Sequence, residues 1–308
     1  MAMDAQELEG LLVELKSDVG ATLDTVPPVV VIDDPGVDDI PGQGSAKWLK
    51  IPGVVAVVAD LKSSTALGTG KHDTSTARAY KAAVEGSVKV LNRFDADFID
   101  IQGDGGFGLF WGERRFERAL CAGVTIRTFS DTLVDKLETK WGSAGGPETG
   151  FKVGIAVGRV LVKQLGTPRN PDEQEAVWAG KPVNYATKCA QSADRHEIVL
   201  AGSVWDHFQY NEYVAYSCGC AGKPSATLWS DITIDRLDDD ERFGRSTVAP
   251  WCPNCGPSFC EAILLGKRHR DDIPDELKAA LTKSQMKDAL AAKAQVDRRE
   301  RTRLRSLR

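Results

Sequence analysis

An α/β architecture, an α+β sandwich with a mainly antiparallel sheet and helices packed on it, follows from three features of this 308-residue chain. Apolar β-forming runs alternate with stretches of helical period. Two of those runs flank a glycine-rich turn short enough for a hairpin. The composition, 42% hydrophobic and 27% charged, is that of an ordinary folded protein with room for one large domain and appendages.

Leu8, Leu11, Leu12 and Leu15 recur at helical spacing and predict a short amphipathic helix over residues 5 to 17, with its stripe used for packing or a dimer contact. Residues 24 to 43 hold four prolines and several acidic groups without any period, and read as an exposed linker. The run Val54-Val55-Ala56-Val57-Val58-Ala59 is a strand closed by Asp60. A helix over residues 74 to 93 follows. Phe98-Ile99-Asp100-Ile101 and Phe107-Gly108-Leu109-Phe110 then pair around Gly103-Asp104-Gly105-Gly106. After a helix over 115 to 140 and a glycine-rich surface loop over 143 to 150, residues 151 to 162 read as a strand pair with glycine at its bend. A glycine-proline loop, residues 179 to 182, leads into a helix over about 185 to 193. The expected organisation is residues 1–47 as helix and linker, 48–235 as the main folded domain, and 236–308 as a cysteine-containing segment with a basic C-terminal helix.

Asp60 at a strand end and Asp104 in a hairpin turn would hold two hard oxygen ligands on one edge of a sheet. Such a pair suits one or two divalent cations over a nucleoside triphosphate. Taken singly, Asp60 reads equally as the cap of the next helix and Asp104 as a residue that satisfies its turn. The stretches that follow bear on that choice. In order, "ADLKSSTAL", "DIQGDGGFGLF", "VGIAVGRVLV" and "WAGKPVNYATKCAQ" resemble the class III nucleotidyl cyclase catalytic domain. The resemblance spans most of the chain, and the order of its motifs is more specific than any one of them.

That resemblance implies roles residue by residue. Asp60 and Asp104 match the metal-binding aspartates, which hold two Mn²⁺ or Mg²⁺ ions with help from the backbone carbonyl of Leu61. The loop Lys62-Ser63-Ser64-Thr65 would offer backbone N–H groups to the triphosphate, or act as an ordinary helix cap. Asn184 matches the asparagine that orients the ribose. Lys188 stands where the family usually has an arginine, a point charge in place of a planar fork, with Arg159 and Arg195 as further cations. At the base-reading positions the chain has Asp100 and Val177, with Trp178 beside the latter, and neither adenine-reading arrangement is present. The altered base pocket is similar to that of the pyrimidine cyclases of the Pycsar antiphage systems, with Trp178 or Tyr185 stacking on a small base. Asp100 could accept from the N3 donor of uracil or the 4-amino group of cytosine, so UTP and CTP both stay open, UTP first. One copy of each motif implies a homodimer whose two sites are each shared between subunits.

Five of the seven cysteines fall late. Cys218 and Cys220 form a C-x-C and Cys252 and Cys255 a C-x-x-C, enough thiolates for a tetrahedral structural zinc, although 31 residues separate the pairs. The alternative is unligated buried thiols. Gly256-Pro257 is expected to hinder a helix after "WCPNC", which ranks redox catalysis last. Cys121 and Cys189 read as core residues, and the four histidines show no ligand spacing.

Net charge of −5 argues against general nucleic-acid binding, and the terminal "DRRERTRLRSLR", with six arginines against two acidic residues, reads as a solvated helix end. No apolar run approaches the ~20 residues of a membrane helix, and the start of the chain lacks the basic region and apolar core of a signal peptide, so the cytoplasm is expected. Two other classes remain: a noncatalytic nucleotide-sensing module, and a zinc-bearing interaction protein docking on nucleic acid through its tail.

Overall fold

The structure is a computed structural model, and it describes residues 3–67, 72–141, 148–166, 174–238, 241–287 and 290. The expected glycine-rich loop lies largely outside the described residues, and the arginine-rich terminus lies wholly outside them. In chain order the elements are α1 (Ala5–Asp24), β1 (Val29–Val31), β2 (Trp48–Leu61), α2 (Ser64–Leu67), α3 (Asp73–Arg93), β3 (Phe98–Gln102), β4 (Gly105–Phe110), α4 (Arg115–Trp141), β5 (Phe151–Gly166), β6 (Gln174–Gly180), α5 (Lys181–Ser192), β7 (Glu197–Leu200), α6 (Gly202–Phe208), α7 (Glu212–Ala215), β8 (Ser230–Thr233), β9 (Phe243–Thr247) and α8 (Gly256–Leu264). No helix among the described residues is long and apolar enough to cross a membrane.

The strands join one sheet in the order β3-β4-β2-β5-β7-β9-β8, with β1 on β2 and β6 on β5. The β2–β4, β3–β4, β7–β9 and β8–β9 ladders are antiparallel, whereas β1–β2 and β5–β7 are parallel. The sheet thus extends past residue 235, because β9 inserts between β7 and β8.

The chain divides into two compact units, residues 1–52 with 161–179, and residues 53–160 with 180–308. In the first, α1 starts at a capping box in which Asp4 and Glu7 each accept from the other's backbone N–H. The helix runs to Asp24, beyond the expected residue 17, because Val19 and Leu23 continue its apolar period; none of its residues is buried. The expected linker also carries structure. Val29–Val31 pair in parallel with Trp48–Lys50, and Trp48 N–H donates to the Pro28 carbonyl at 2.9 Å. Three β-branched valines outweigh the flanking prolines, which sit just before the strand where no ladder donor is needed.

In the second unit, Val54–Val57 of β2 are fully buried, so this run is covered on both faces. Ala79, Ala83, Ser87 and Leu91 form the buried stripe of α3 at i, i+4 spacing. The expected strand pair over 151 to 162 is instead one continuous strand, β5. Its glycines at 154 and 158 serve packing rather than a bend: a Cβ on Gly154 would lie 1.9 Å from the Ala186 carbonyl oxygen of α5, and one on Gly158 3.3 Å from the Pro182 ring. The next side chain, Ile155, packs on Gly123 of α4. Successive strand residues face opposite ways, so α5 and α4 cover opposite faces of β5.

Candidate active site

Asp60 is the penultimate residue of β2, and the β2–β4 register sets what lies beside it. Val55 faces Phe110 and Ala59 faces Gly106, so the ladder leads Asp60 towards Gly105 and the turn. A Cβ on Gly105 would meet the Ala59 carbonyl oxygen at 2.3 Å and the Asp60 Cα at 3.4 Å, so only glycine fits beside this strand end. Gln102 faces Gly105 across β3–β4, leaving Gly103-Asp104 as a two-residue turn with Gly103 at φ 65°. Positive φ at the first central position is what a tight hairpin demands of glycine. The consequence is that Asp60, near the end of β2, and Asp104, in the turn that opens β4, are both half-buried and lie at the same end of the β2–β4 ladder.

Asp60 already has a cationic partner. The Lys152 ammonium of β5 lies 2.5 Å from its carboxylate, with the lysine 18% and the aspartate 40% exposed. A cavity of about 140 Å³ opens beside it, lined by Asp60, Gln102, Gly106, Thr187, Ala190 and Gln191 among others. Leu61, the last residue of β2, is buried, and beyond the strand Ser63 takes φ 56°, a left-handed conformation that costs a non-glycine residue about 1–2 kcal/mol. Lys62 is fixed at three points: its N–H donates to Gly150, its carbonyl accepts from Thr149 and its ammonium meets Asp194 at 2.5 Å. The helix after Ser63 is a single turn, Ser64–Leu67, in which the Ser64 carbonyl accepts from the Tyr80 hydroxyl and Thr65 is exposed.

Helix α5 begins four residues before the expected position, because Pro182 occupies its first turn, where no N–H is missed. Asn184 is exposed and donates weakly to the Gly180 carbonyl at 3.4 Å. The Lys188 ammonium donates to the Arg236 carbonyl at 2.9 Å and lies over the Tyr185 ring at 5.1 Å. Neither residue lines the cavity at Asp60, whereas Thr187, Ala190 and Gln191 of the same helix do. Tyr185 is 6% exposed and its hydroxyl donates to Asp238, which also holds the Lys181 ammonium. Burial, then the Asp238 carboxylate, pushes the Tyr185 phenol up, and the Lys181 contact holds the Asp238 carboxyl down. A ring so enclosed is core, not a base-stacking surface.

Asp100 lies mid-strand in β3 opposite Phe107 and accepts from the Gln102 amide at 3.1 Å. Val177 and Trp178 are neighbours on β6, one exposed and one half-buried. Strand alternation sends their side chains to opposite faces, so one base can meet only one of them.

The cysteine pairs converge. The sulfurs of Cys218, Cys220, Cys252 and Cys255 all lie within 4.8 Å of one another. The wide spacing between the pairs is occupied by the β8–β9 hairpin, which folds out and back. Gly256-Pro257 does not hinder a helix: α8 starts there with proline in its first turn, where it is tolerated. Backbone N–H groups of Cys255 and Asn254 hold the Cys252 thiol down to about 6, while burial and then the Cys218 and Cys252 sulfurs push Cys255 up. Cys121 and Cys189 are buried, as expected of core thiols.

Lys152, Thr187 and Gln191 were not singled out by sequence. Lys152 carried one signal: it is the only charge in the apolar run from Phe151 to Val157. Its partner is ninety-two positions away, and nothing local connects them.

No protein-family profile matches this sequence. A uridylate cyclase of Propioniciclava tarda is 54% identical over 303 residues, 98% of each chain, and a uridylate cyclase of Micromonospora echinofusca is 46% identical over 306 residues, 97% of each. Among solved structures, the adenylyl cyclase CyaB from P. aeruginosa superposes with a TM-score of 0.53 at 12% identity, covering 67% of this chain and 98% of its own. The guanylyl cyclase Cya2 superposes with a TM-score of 0.50 at 14% identity, covering 66% and 94%. The mixed sheet with helices on it is therefore a class III cyclase fold, and the chain belongs to the uridylate cyclase family.

Proposed function

We propose that this chain is a pyrimidine nucleotide cyclase that converts UTP to 3′,5′-cyclic UMP and pyrophosphate. The observation that carries the reading is the near-full-length match to two relatives named uridylate cyclase. The β2–β4 register supports a location for the chemistry, since it leads Asp60 and Asp104 to one sheet edge. The fit to divalent metal rests on hard carboxylate donors and on an Asp60 that already holds a cation, the Lys152 ammonium. Asp60, Asp104 and the Leu61 carbonyl would hold two Mn²⁺ or Mg²⁺ ions. When bound, the ions supply positive charge to the triphosphate and acidify the ribose 3′-hydroxyl.

The chain's own residues bind and orient. Lys62, Ser63, Ser64 and Thr65 border the phosphates. Asn184 orients the ribose and Lys188 brings a cation to the α-phosphate, leaving its Arg236 carbonyl. The 3′-oxygen forms a bond to the α-phosphorus as the bond to the β-phosphate oxygen breaks, so pyrophosphate departs and the hydroxyl proton is released. Positioning and charge neutralisation provide the rate. Asp100 reads the base edge. Because the cavity at Asp60 is lined by Thr187, Ala190 and Gln191, Asn184 and Lys188 serve the site of a second copy, in a homodimer with shared sites. The product is a cytoplasmic second messenger of antiphage defence.

Incubation of the purified chain with each of the four nucleoside triphosphates and Mn²⁺, with the product identified by mass, tests the substrate. Cyclic UMP from UTP is expected. Cyclic CMP alone would assign a cytidylate cyclase, cyclic AMP alone would overturn the reading of Asp100 and Val177, and binding without pyrophosphate release would make it a nucleotide sensor.

A further inference from the structure

Away from the sheet edge, the cysteine cluster is the one set of metal-type donors among the described residues that converges from distant parts of the chain. Cys218 caps, and Cys220 lies within, a single helical turn after α7, Gly219–Ala221. Cys252 and Cys255 enclose the turn that starts α8, where Gly256 N–H donates to the Cys252 carbonyl at 2.7 Å.

Both loops are held in place by other contacts. Arg270, with its side chain 2% exposed, donates to the carbonyls of Tyr216 and Ser217 at 3.3 and 3.1 Å, which aims the first loop. Ser217 and Ser225 close that loop through backbone and hydroxyl bonds. Trp251 donates twice, from its indole N–H to the Thr125 hydroxyl and from its backbone N–H to the Thr128 hydroxyl, each at 2.8 Å, which anchors the second loop on α4.

Thiols are weak hydrogen-bond donors and acceptors, so four of them within 4.8 Å do little for one another. Four thiolates from a C-x-C and a C-x-x-C match the donor number and softness of a closed tetrahedral site. We propose that Cys218, Cys220, Cys252 and Cys255 bind one structural zinc ion through their four sulfurs. The ion ties the loop after α7 to the first turn of α8 across the β8–β9 hairpin. Three of its ligands, Cys218, Cys252 and Cys255, also line an apolar cavity of about 190 Å³ with Trp229, Trp251 and Phe259, so the ion braces a wall that packing leaves incomplete. Each coordinating thiol gives up its proton on binding.

Elemental analysis of the full chain, purified without added metal, is the test. One zinc per chain is expected, together with a sulfur-to-metal charge-transfer band when the chain is refolded with Co²⁺. Under native conditions four thiols should resist a thiol reagent until a strong chelator is added. Cys252→Ser should lose the zinc, whereas Cys260→Ser and Asp60→Ala should keep it; the thiol count on the unaltered chain stands even if Cys252→Ser fails to fold. Absence of bound metal with the late cysteines freely reactive, iron in place of zinc, or a disulfide found by mass would each overturn the proposal. Retention of zinc in Asp60→Ala separates this site from the cyclase reading, whose failure would leave it intact.

Discussion

At the sheet edge, Asp60 comes from β2 and Asp104 from the turn that leads into the adjacent β4, both half-buried, with the Lys152 ammonium already on Asp60. At the cysteine cluster, four sulfurs from two loops on either side of a β-hairpin close within 4.8 Å of one another. The first offers hard oxygen donors, one of them lining a cavity, and on the proposed function a substrate's phosphates would complete the coordination there. The second offers four soft donors, a full set for one tetrahedral ion on the zinc proposal. Openness at the first would serve turnover, and closure at the second would hold two loops together.

Brief treatment with a moderate chelator should therefore split the two. Cyclic nucleotide formation is expected to vanish and to return with Mn²⁺, while zinc content, followed by elemental analysis, stays constant; loss of zinc at the same rate would erase the distinction. Asn184→Ala should lower kcat by about 10²-fold with little change in KM for UTP, because an orienting contact acts in the transition state. Mixing Asp60→Ala chains with Asn184→Ala chains should recover about a quarter of the unaltered activity, since half the dimers are mixed and each of those has one complete site. Absence of recovery in verified mixed dimers would confine the site to one chain.

The smallest expected effect concerns His196, which sits at φ 60° with its ring 3.4 Å from the Asp131 carboxylate. Burial, then the Arg127 charge, lowers its pKa below the usual 6.5. Between the two values the unfolded chain takes up a proton that the folded chain refuses. Stability is thus full above pH 6.5 and falls as pH drops through that window. His196→Asn, which tolerates the left-handed backbone, should remove this slope, a difference of about 1–2 °C in the Tm measured across the window.

Local chemistry explains what could be read from sequence. The Gly103-Asp104 turn and the helix α3 each follow from residues within a few positions of one another, and the structure has them where expected, while β2 runs one residue past Asp60. Gly154 misled because a glycine in a strand marks either a bend or a close approach, and only the packing of α5 decides between them. Pro257 misled because proline breaks a helix interior but suits a first turn. The Lys152–Asp60 pair and the Arg270 anchor join residues remote in sequence, and no pattern within either segment announces its partner.

The central claim, that the carboxylates of Asp60 and Asp104 serve the cyclisation of UTP, is tested most directly by comparing cyclic UMP formation by Asp104→Ala with that of the unaltered chain at equal folded concentration. The account predicts a loss of about 10²-fold or more, with the zinc content unchanged. Undiminished cyclic UMP from the variant would contradict it.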